Sequence, residues 1–332
     1  MKEQRPMAEY LLPGLYRLEI PIPNNPLKAT NAYFIKGEDR NLLVDTGQNT
    51  EIGLEVMQAR LAELAIDLRK TDIILTHMHA DHAGLIPSLK TETSTLYATC
   101  ADGENVNSIL MDKSFGEWLY NAARRNGLPH EEALTASKRH PANATVMEEP
   151  LKFTFITDGT VITVGDYSFT CIETPGHTKG HICLYETDKK ILISGDHILG
   201  DITPNITNFR DQGNPLEDFL TSLGKIAALA VNLVLPGHRN IFVDCRGRID
   251  QLLKHHQRRI DEVSTIVAEG RPISGYQVAA RMTWDMVYKS WDDVAASQKF
   301  FATGEALSHL RYLECKGEIQ RSAHDNTIIY WR

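Results

Sequence analysis

The five cysteines (Cys100, Cys171, Cys183, Cys245 and Cys315) include no C-x-x-C pair. That gives neither a thiolate zinc knuckle nor a disulfide framework. Scattered thiols of this kind are expected to be reduced and mostly buried, as in a cytoplasmic protein. No apolar run approaches the roughly 18 residues that span a bilayer, so no membrane partner is expected. The opening MKEQRPMAEYLLPG lacks an uninterrupted apolar stretch, and a secretory signal is not expected. Basic charge is not in excess either. There are 35 Lys and Arg against 43 Asp and Glu, a net charge of −8, which argues against a chain that tracks phosphates as a whole. Internal repeats are missing too. With 42% apolar and 23% charged residues over 332 positions, the chain reads as one large globular domain, or a large one with a small one.

Up to residue 245 the chain shows short β runs broken by Gly, Asp, Asn and Pro. Strands are predicted at 15–20, 31–36, 41–45, 71–76, 96–98, 160–164, 167–173, 181–186, 190–194 and 232–235. Gly165-Asp166 between two of these runs predicts a hairpin. Ile52, Val56, Ala59 and Leu61 suggest a helix over 50–64. Strands followed by helices, mixed with hairpins, indicate a layered α/β architecture with mixed sheets. Residues 102–150 read instead as helices, over 106–119, 119–126 and 130–137. They resemble an insertion, either a lid or a decoration of the scaffold. From 246 the pattern changes to a long amphipathic helix over 248–269. Further helices follow over 274–282 and 296–316, then a hairpin over 318–332 turning at Asp325-Asn326. The expected division is a catalytic domain of residues 1–245 and a small helical domain of residues 246–332.

The segment TDIILTHMHADHAG, residues 71–84, carries the chemistry. An apolar strand ends in His77, His79, Asp81 and His82. His77 and His79 are two apart, so on an extended chain they point to one side. A single histidine would be an ordinary packed or surface residue; four ligand-type residues within six positions are a metal site. Imidazole and carboxylate suit zinc, iron or manganese. His177 in PGH, Asp196 in SGDH and His238 in PGH each follow an apolar run. Loops at one end of a sheet can bring such residues together.

DTG at 45–47, HMHADH at 77–82, GH at 176–177, GD at 195–196 and GH at 237–238 resemble the five ordered motifs of the metallo-β-lactamase superfamily. The resemblance covers residues 10–245. It implies an αββα sandwich with a site for two divalent metals, zinc by default. His77, His79 and His177 would bind the first metal; Asp81, His82 and His238 the second. Asp196 would bridge them, and Asp45 would orient the ligand loop. Asp81 and Asp196 are the implied catalytic residues, acting with a metal-bridging hydroxide. An Asp rather than a Cys at 196 brings the chain closer to the hydroxyacylglutathione-hydrolase and lactonase-like branch. His181 and His197 are expected to be structural, and His255 and His256 packed or solvated.

The expected substrate is a small acyl compound: a thioester, lactone or carboxylic ester. Asn205, Asn208 and Phe209, in the loop after Asp196, are candidate contacts. Met111, Phe115, Trp118, Leu119 and Tyr120 in the insertion read as a packed face before a ligand pocket. The C-terminal stretch GEALSHLRYLECKGEI resembles the recognition helix and wing of the winged-helix-like domain found in the β-lactamase-like endoribonuclease. A phosphodiesterase or endoribonuclease is therefore the alternative. Residues 246–332 hold 13 Lys and Arg against 11 Asp and Glu, little for a groove-binding surface. Packing, dimerisation or pocket closure is the expected role there, with nucleic acid a minor prospect and a homodimer a family-level expectation.

Overall fold

The computed structural model describes residues 7–112, 114–138, 140, 149–285 and 288–332. Seven strands form the first sheet in chain order: β1 (Glu9–Leu12), β2 (Leu15–Pro21), β3 (Ala29–Ile35), β4 (Asn41–Val44), β5 (Thr71–Ile74), β6 (Leu96–Thr99) and β7 (Phe153–Ile156). Pairing is antiparallel from β1 to β4 and parallel from β4 to β7. The second sheet has β8 (Val161–Val164), β9 (Tyr167–Glu173), β10 (Ile182–Glu186), β11 (Ile191–Gly195) and β12 (Leu233–Pro236), in the order β12-β11-β10-β9-β8. The β8–β9 hairpin turns at Gly165 (φ 52°), as its sequence predicts.

The sheets pack face to face. Tyr33, Ile35, Val44 and Ile74 of the first meet Phe169, Cys171, Leu184 and Ile193 of the second in one buried cluster. Each fully buried side chain of this kind contributes about 1.5–3 kcal/mol. Helices cover both outer faces, giving the expected αββα sandwich. On the first face lie α1 (Glu51–Glu63), the short α2 (Ala80–Ala83) and α3 (Ile86–Leu89), and α4 (Cys100–Met111). In α1 the buried face is Gly53, Val56, Met57 and Leu61, while Ile52 stands outside it at 39% exposure.

The insertion is only partly separate from the sheet. β6 and β7 are parallel neighbours and need a crossover. Its first helix, α4, is that crossover, with Val106 buried on the sheet and Gly103 against Phe153 and Phe155. β7 was not expected from the sequence. The single helix expected over 106–119 is broken at Asp112, whose carboxylate accepts hydrogen bonds from the Ser114 amide (2.8 Å) and hydroxyl (2.7 Å). α5 (Phe115–Arg125) and α6 (His130–Lys138) follow, and pack a cluster of Phe115, Leu119, Ala123, Leu128 and Ala133. Met111 is 39% exposed, so it lies outside the face expected of it.

The other outer face carries α7 (Pro215–Ala227) and α8 (Cys245–Val267). Then come β13 (Ile273–Ser274), α9 (Gly275–Arg281), α10 (Ala296–Cys315), β14 (Gln320–His324) and β15 (Thr327–Trp331), the strands ordered β13-β15-β14. Asp325 and Asn326 both have positive φ (46° and 63°), as a tight hairpin turn requires. Leu192 and Val234 of the second sheet, Leu223 of α7, Leu252 of α8 and Leu310 of α10 share one continuous core. α10 is buried through its middle. From Lys299 to Leu310 only Phe301 is exposed, and the helix lies among α6, α7, α8 and α9. The ammonium of Lys299 pairs with Glu132 of α6 at 2.6 Å, tying the insertion to this helix.

Candidate metal centre

Every predicted ligand sits where a strand hands over to a loop. His77 and His79 follow β5, His177 follows β9, Asp196 follows β11 and His238 follows β12. Asp81 and His82 lie on the turn of α2. The fold brings all seven together. The ligand atoms of His77, His79 and His177 lie within 4.8 Å of one another. So do those of His77, His82 and Asp196, and those of Asp81, His82 and His238. His77 Nε2 is 3.1 Å from His79 Nδ1, and His82 Nε2 is 3.3 Å from His238 Nε2.

The two ends differ electrostatically. Burial, then His82 and the other imidazoles, holds His77 well below an ordinary histidine; burial and His177 pull His79 down to about 3. His177 is lowered by burial as well. At the other end burial works against charge, but carboxylates prevail. Asp196 and Asp45 raise His82 well above its ordinary value, and Asp196 and Asp81 raise His238 to about 10. Neutral imidazoles are ready donors, and a cation would replace the protons that the carboxylates hold on the other pair. His177 Nε2 and Asp196 Oδ1 are out of solvent and have no hydrogen-bond partner among the described residues. The donor set therefore fits divalent cations.

A ring of supporting contacts fixes these groups. Asp45, at positive φ (60°), accepts from the Thr76 amide and hydroxyl, both at 2.8 Å, and lies 2.8 Å from His82 Nδ1. That leaves His82 Nε2 to face the centre. His181 Nε2 accepts from the Asp196 amide (3.1 Å) and its Nδ1 meets Thr174 Oγ1 (2.8 Å), so it is structural, as expected. Gly195 (φ 47°) turns the chain there; a Cβ would lie 2.7 Å from His181 Nε2. His238 Nδ1 lies 2.7 Å from the Ala29 carbonyl. His197 is buried beside Phe219, their rings 5.0 Å apart. His256 is buried with Nδ1 3.3 Å from His309 Nε2, while His255 is half-buried.

Two acids went unnoticed in the sequence. Asp102 is 1% exposed. It accepts from the Met78 amide (2.9 Å), the Gly180 amide (2.8 Å) and the Thr178 hydroxyl (2.5 Å), clamping the His77–His79 loop to the His177 loop. In the sequence it is an acid in the first turn of a helix, which needs no special reading. Glu305 of α10 accepts from Asn205 Nδ2 at 3.1 Å, and the Asn205 carbonyl is 2.6 Å from His177 Nδ1. Burial pushes Glu305 up to about 6, against Arg259 and Asn205. No local signal marks Glu305, because its partner is 100 residues away. Asn205 thus serves the ligand loop, whereas Asn208 and Phe209 line a neighbouring cleft.

Five imidazoles and two carboxylates thus gather in one polar cage at an edge of the αββα sandwich, a donor set that could hold metal ions. The chain belongs to the metallo-beta-lactamase superfamily, whose profile matches residues 25–238. It is 26% identical over 308 residues to the probable metallo-hydrolase YqjP of Bacillus subtilis, covering 90% of this chain and 92% of that one. It is 25% identical over 262 residues to the atrochrysone carboxyl ACP thioesterase of Aspergillus fumigatus, covering 78% and 66%. Among solved structures, the metallo-beta-lactamase family protein TTHA1429 of Thermus thermophilus matches with a TM-score of 0.81 and 28% identity, over 97% of this chain and 100% of that one. No helix among the described residues is long and apolar enough to cross a membrane.

Proposed function

We propose that this protein hydrolyses small acyl substrates (thioesters, lactones or carboxylic esters) with two divalent cations, as in the hydroxyacylglutathione-hydrolase and lactonase-like branch. One observation carries the reading. Asp196 Oδ2 is 3.6 Å from His177 Nε2 and 3.4 Å from His238 Nε2, one histidine from each end of the cage. On this reading His77, His79 and His177 hold one cation, Asp81, His82 and His238 the other, and Asp196 touches both. Zinc suits these nitrogen and oxygen donors, and iron or manganese would also be accepted. When bound, the cations supply an acidified water and polarise the carbonyl under attack.

The chain's own groups complete the reaction. Asp45 and Asp102 keep the ligand loops in register. Asp81, its side chain 21% exposed at the mouth of the cage, takes the proton released by the attacking water. It passes that proton to the leaving thiolate or alkoxide as the C–S or C–O bond breaks. The thioesterase named among the relatives favours acyl chemistry.

We read α8, β13, α9, α10, β14 and β15 as a winged-helix-like unit that closes the site. The alternative, a phosphodiesterase or endoribonuclease, would use α10 to read nucleic acid, yet α10 is buried from Ala302 to Leu310 and reaches the surface only before and after that stretch. The test sets a thioester and a lactone series against single-stranded RNA, with metal-quantified protein and Asp196→Ala. Acyl turnover that disappears in the variant is expected. RNA cleavage that disappears in it, with no acyl turnover, overturns the reading.

A further inference from the structure

A cleft of about 310 Å³ opens between α5, the loop after Asp196, α10 and the β14–β15 hairpin. Arg125, Arg210, Arg311 and Arg321 line it, in a chain whose net charge is −8. The acids nearby do not balance them. Asp211 pairs with Arg321 at 2.5 Å, and Glu314 is shared by Arg311 and Arg321, both at 2.8 Å. Arg125 and Arg210 are exposed and have no carboxylate partner among the described residues. The Arg210 guanidinium lies 5.0 Å over the Trp118 ring, which shapes the wall without neutralising the charge. Four guanidinium groups gathered with too few acids favour an incoming anion, and their forks match phosphate oxygens.

The cleft is larger than a bare phosphate needs and falls in the range of pockets for organic ligands. Trp118, Phe209 and Tyr330 supply aromatic walls, and Asn121 and Gln212 supply amides. That combination suits a base and sugar carrying phosphates. The cleft is also joined to the metal centre. Phe209 stacks on Phe300 at 4.2 Å, and the Asn208 amide donates to the Gly304 carbonyl at 3.2 Å. The next residue, Glu305, holds Asn205 beside His177. Arg311 lies six residues further along α10, about 9 Å of helix rise.

From this arrangement we propose that the cleft binds the nucleotide end of a coenzyme A thioester, leaving its long pantetheine arm to carry the acyl group toward the metal cage. The substrate class rests on the acyl-hydrolase reading above; the binding of the nucleotide does not.

The experiment has two parts, both on the full chain. First, titration calorimetry with adenosine 3′,5′-bisphosphate compares the protein with the Arg125→Ala/Arg210→Ala double variant, whose changes lie at exposed positions. Affinity should fall roughly tenfold or more in the variant. No binding, or equal binding by both, overturns the proposal whatever the enzyme hydrolyses. So does equal affinity for 4′-phosphopantetheine, which would assign the cleft to a carrier protein's arm. Displacement of the bisphosphate by single-stranded RNA that the enzyme then cleaves overturns it as well. Second, kcat/KM is measured for acetyl coenzyme A and for S-acetyl-N-acetylcysteamine, which lacks the nucleotide. The double variant should shrink the ratio of the two by about the same factor as the binding loss. An unchanged ratio overturns the proposal. Nucleotide binding with no turnover of either thioester keeps the cleft as a nucleotide site and overturns the coenzyme A thioester as substrate.

Discussion

Replacing Asp102 separates a clamp on the metal loops from an ordinary buried acid. In Asp102→Ala the Met78 and Gly180 amides lose their only side-chain acceptor, and the Thr178 hydroxyl loses its partner. Each buried donor left unmet costs about 1–3 kcal/mol. Part of this is offset, since burial already raises the Asp102 carboxyl above its ordinary range and the variant removes that strained charge. A net loss of about 3 kcal/mol is expected in urea denaturation of the metal-free protein, and about half of that for Asp102→Asn, which keeps one acceptor. Stability alone would not show a clamp. The second readout is zinc affinity by chelator competition, which should weaken roughly 10–100-fold because Met78 lies between two ligands and Thr178 adjoins a third. Lost stability with unchanged zinc affinity would refute the clamp; unchanged stability would refute the hydrogen-bond reasoning itself.

Glu305 gives a pH signature. Its folded pKa of about 6 lies above the ordinary 4.5, so the folded state holds the extra proton between those values. Its own contribution to stability should therefore fall as pH rises through roughly 4.5–6, by about 2 kcal/mol, against the opposite trend of the buried neutral histidines such as His77 and His79. Glu305→Gln should remove that contribution, so that in paired denaturation curves the wild type loses about 2 kcal/mol relative to the variant across the window. At Gly237 a Cβ would lie 2.4 Å from Asp196 Oδ1 and 2.8 Å from His82 Cε1, while the backbone is not strained. Gly237→Ala should fold but bind fewer metal equivalents by mass spectrometry. Stripping metal with a chelator should lower the unfolding free energy of the wild type, by about 4 kcal/mol where free metal stands at a thousand times Kd. Asp196→Ala should show a much smaller drop.

The candidate ligand residues could be picked out because metal chemistry limits the side chains and strand ends fix their spacing, and the fold brings them together. His77, His79, Asp81 and His82 lie in one short run, and the other ligands each follow an apolar strand. The layered α/β class, both expected hairpins and the helices α1, α8 and α10 were legible for a similar reason, since turn chemistry and periodicity act within a few residues, whereas α7 was not expected. What the sequence did not yield depends on partners far along the chain. β7 is a strand because β6 offers a parallel edge. The break at Asp112 is the exception, a local capture of the Ser114 amide within a helical pattern. α10 has the composition of a mixed surface helix, yet Lys299 and Glu305 are buried because Glu132, Arg259 and Asn205 meet them there. The sequence by itself determined the superfamily and named the candidate groups that the fold gathers. Only the tertiary structure decided which acids clamp the ligand loops and where four arginines converge, since burial and charge pairing arise from contacts that no local pattern encodes.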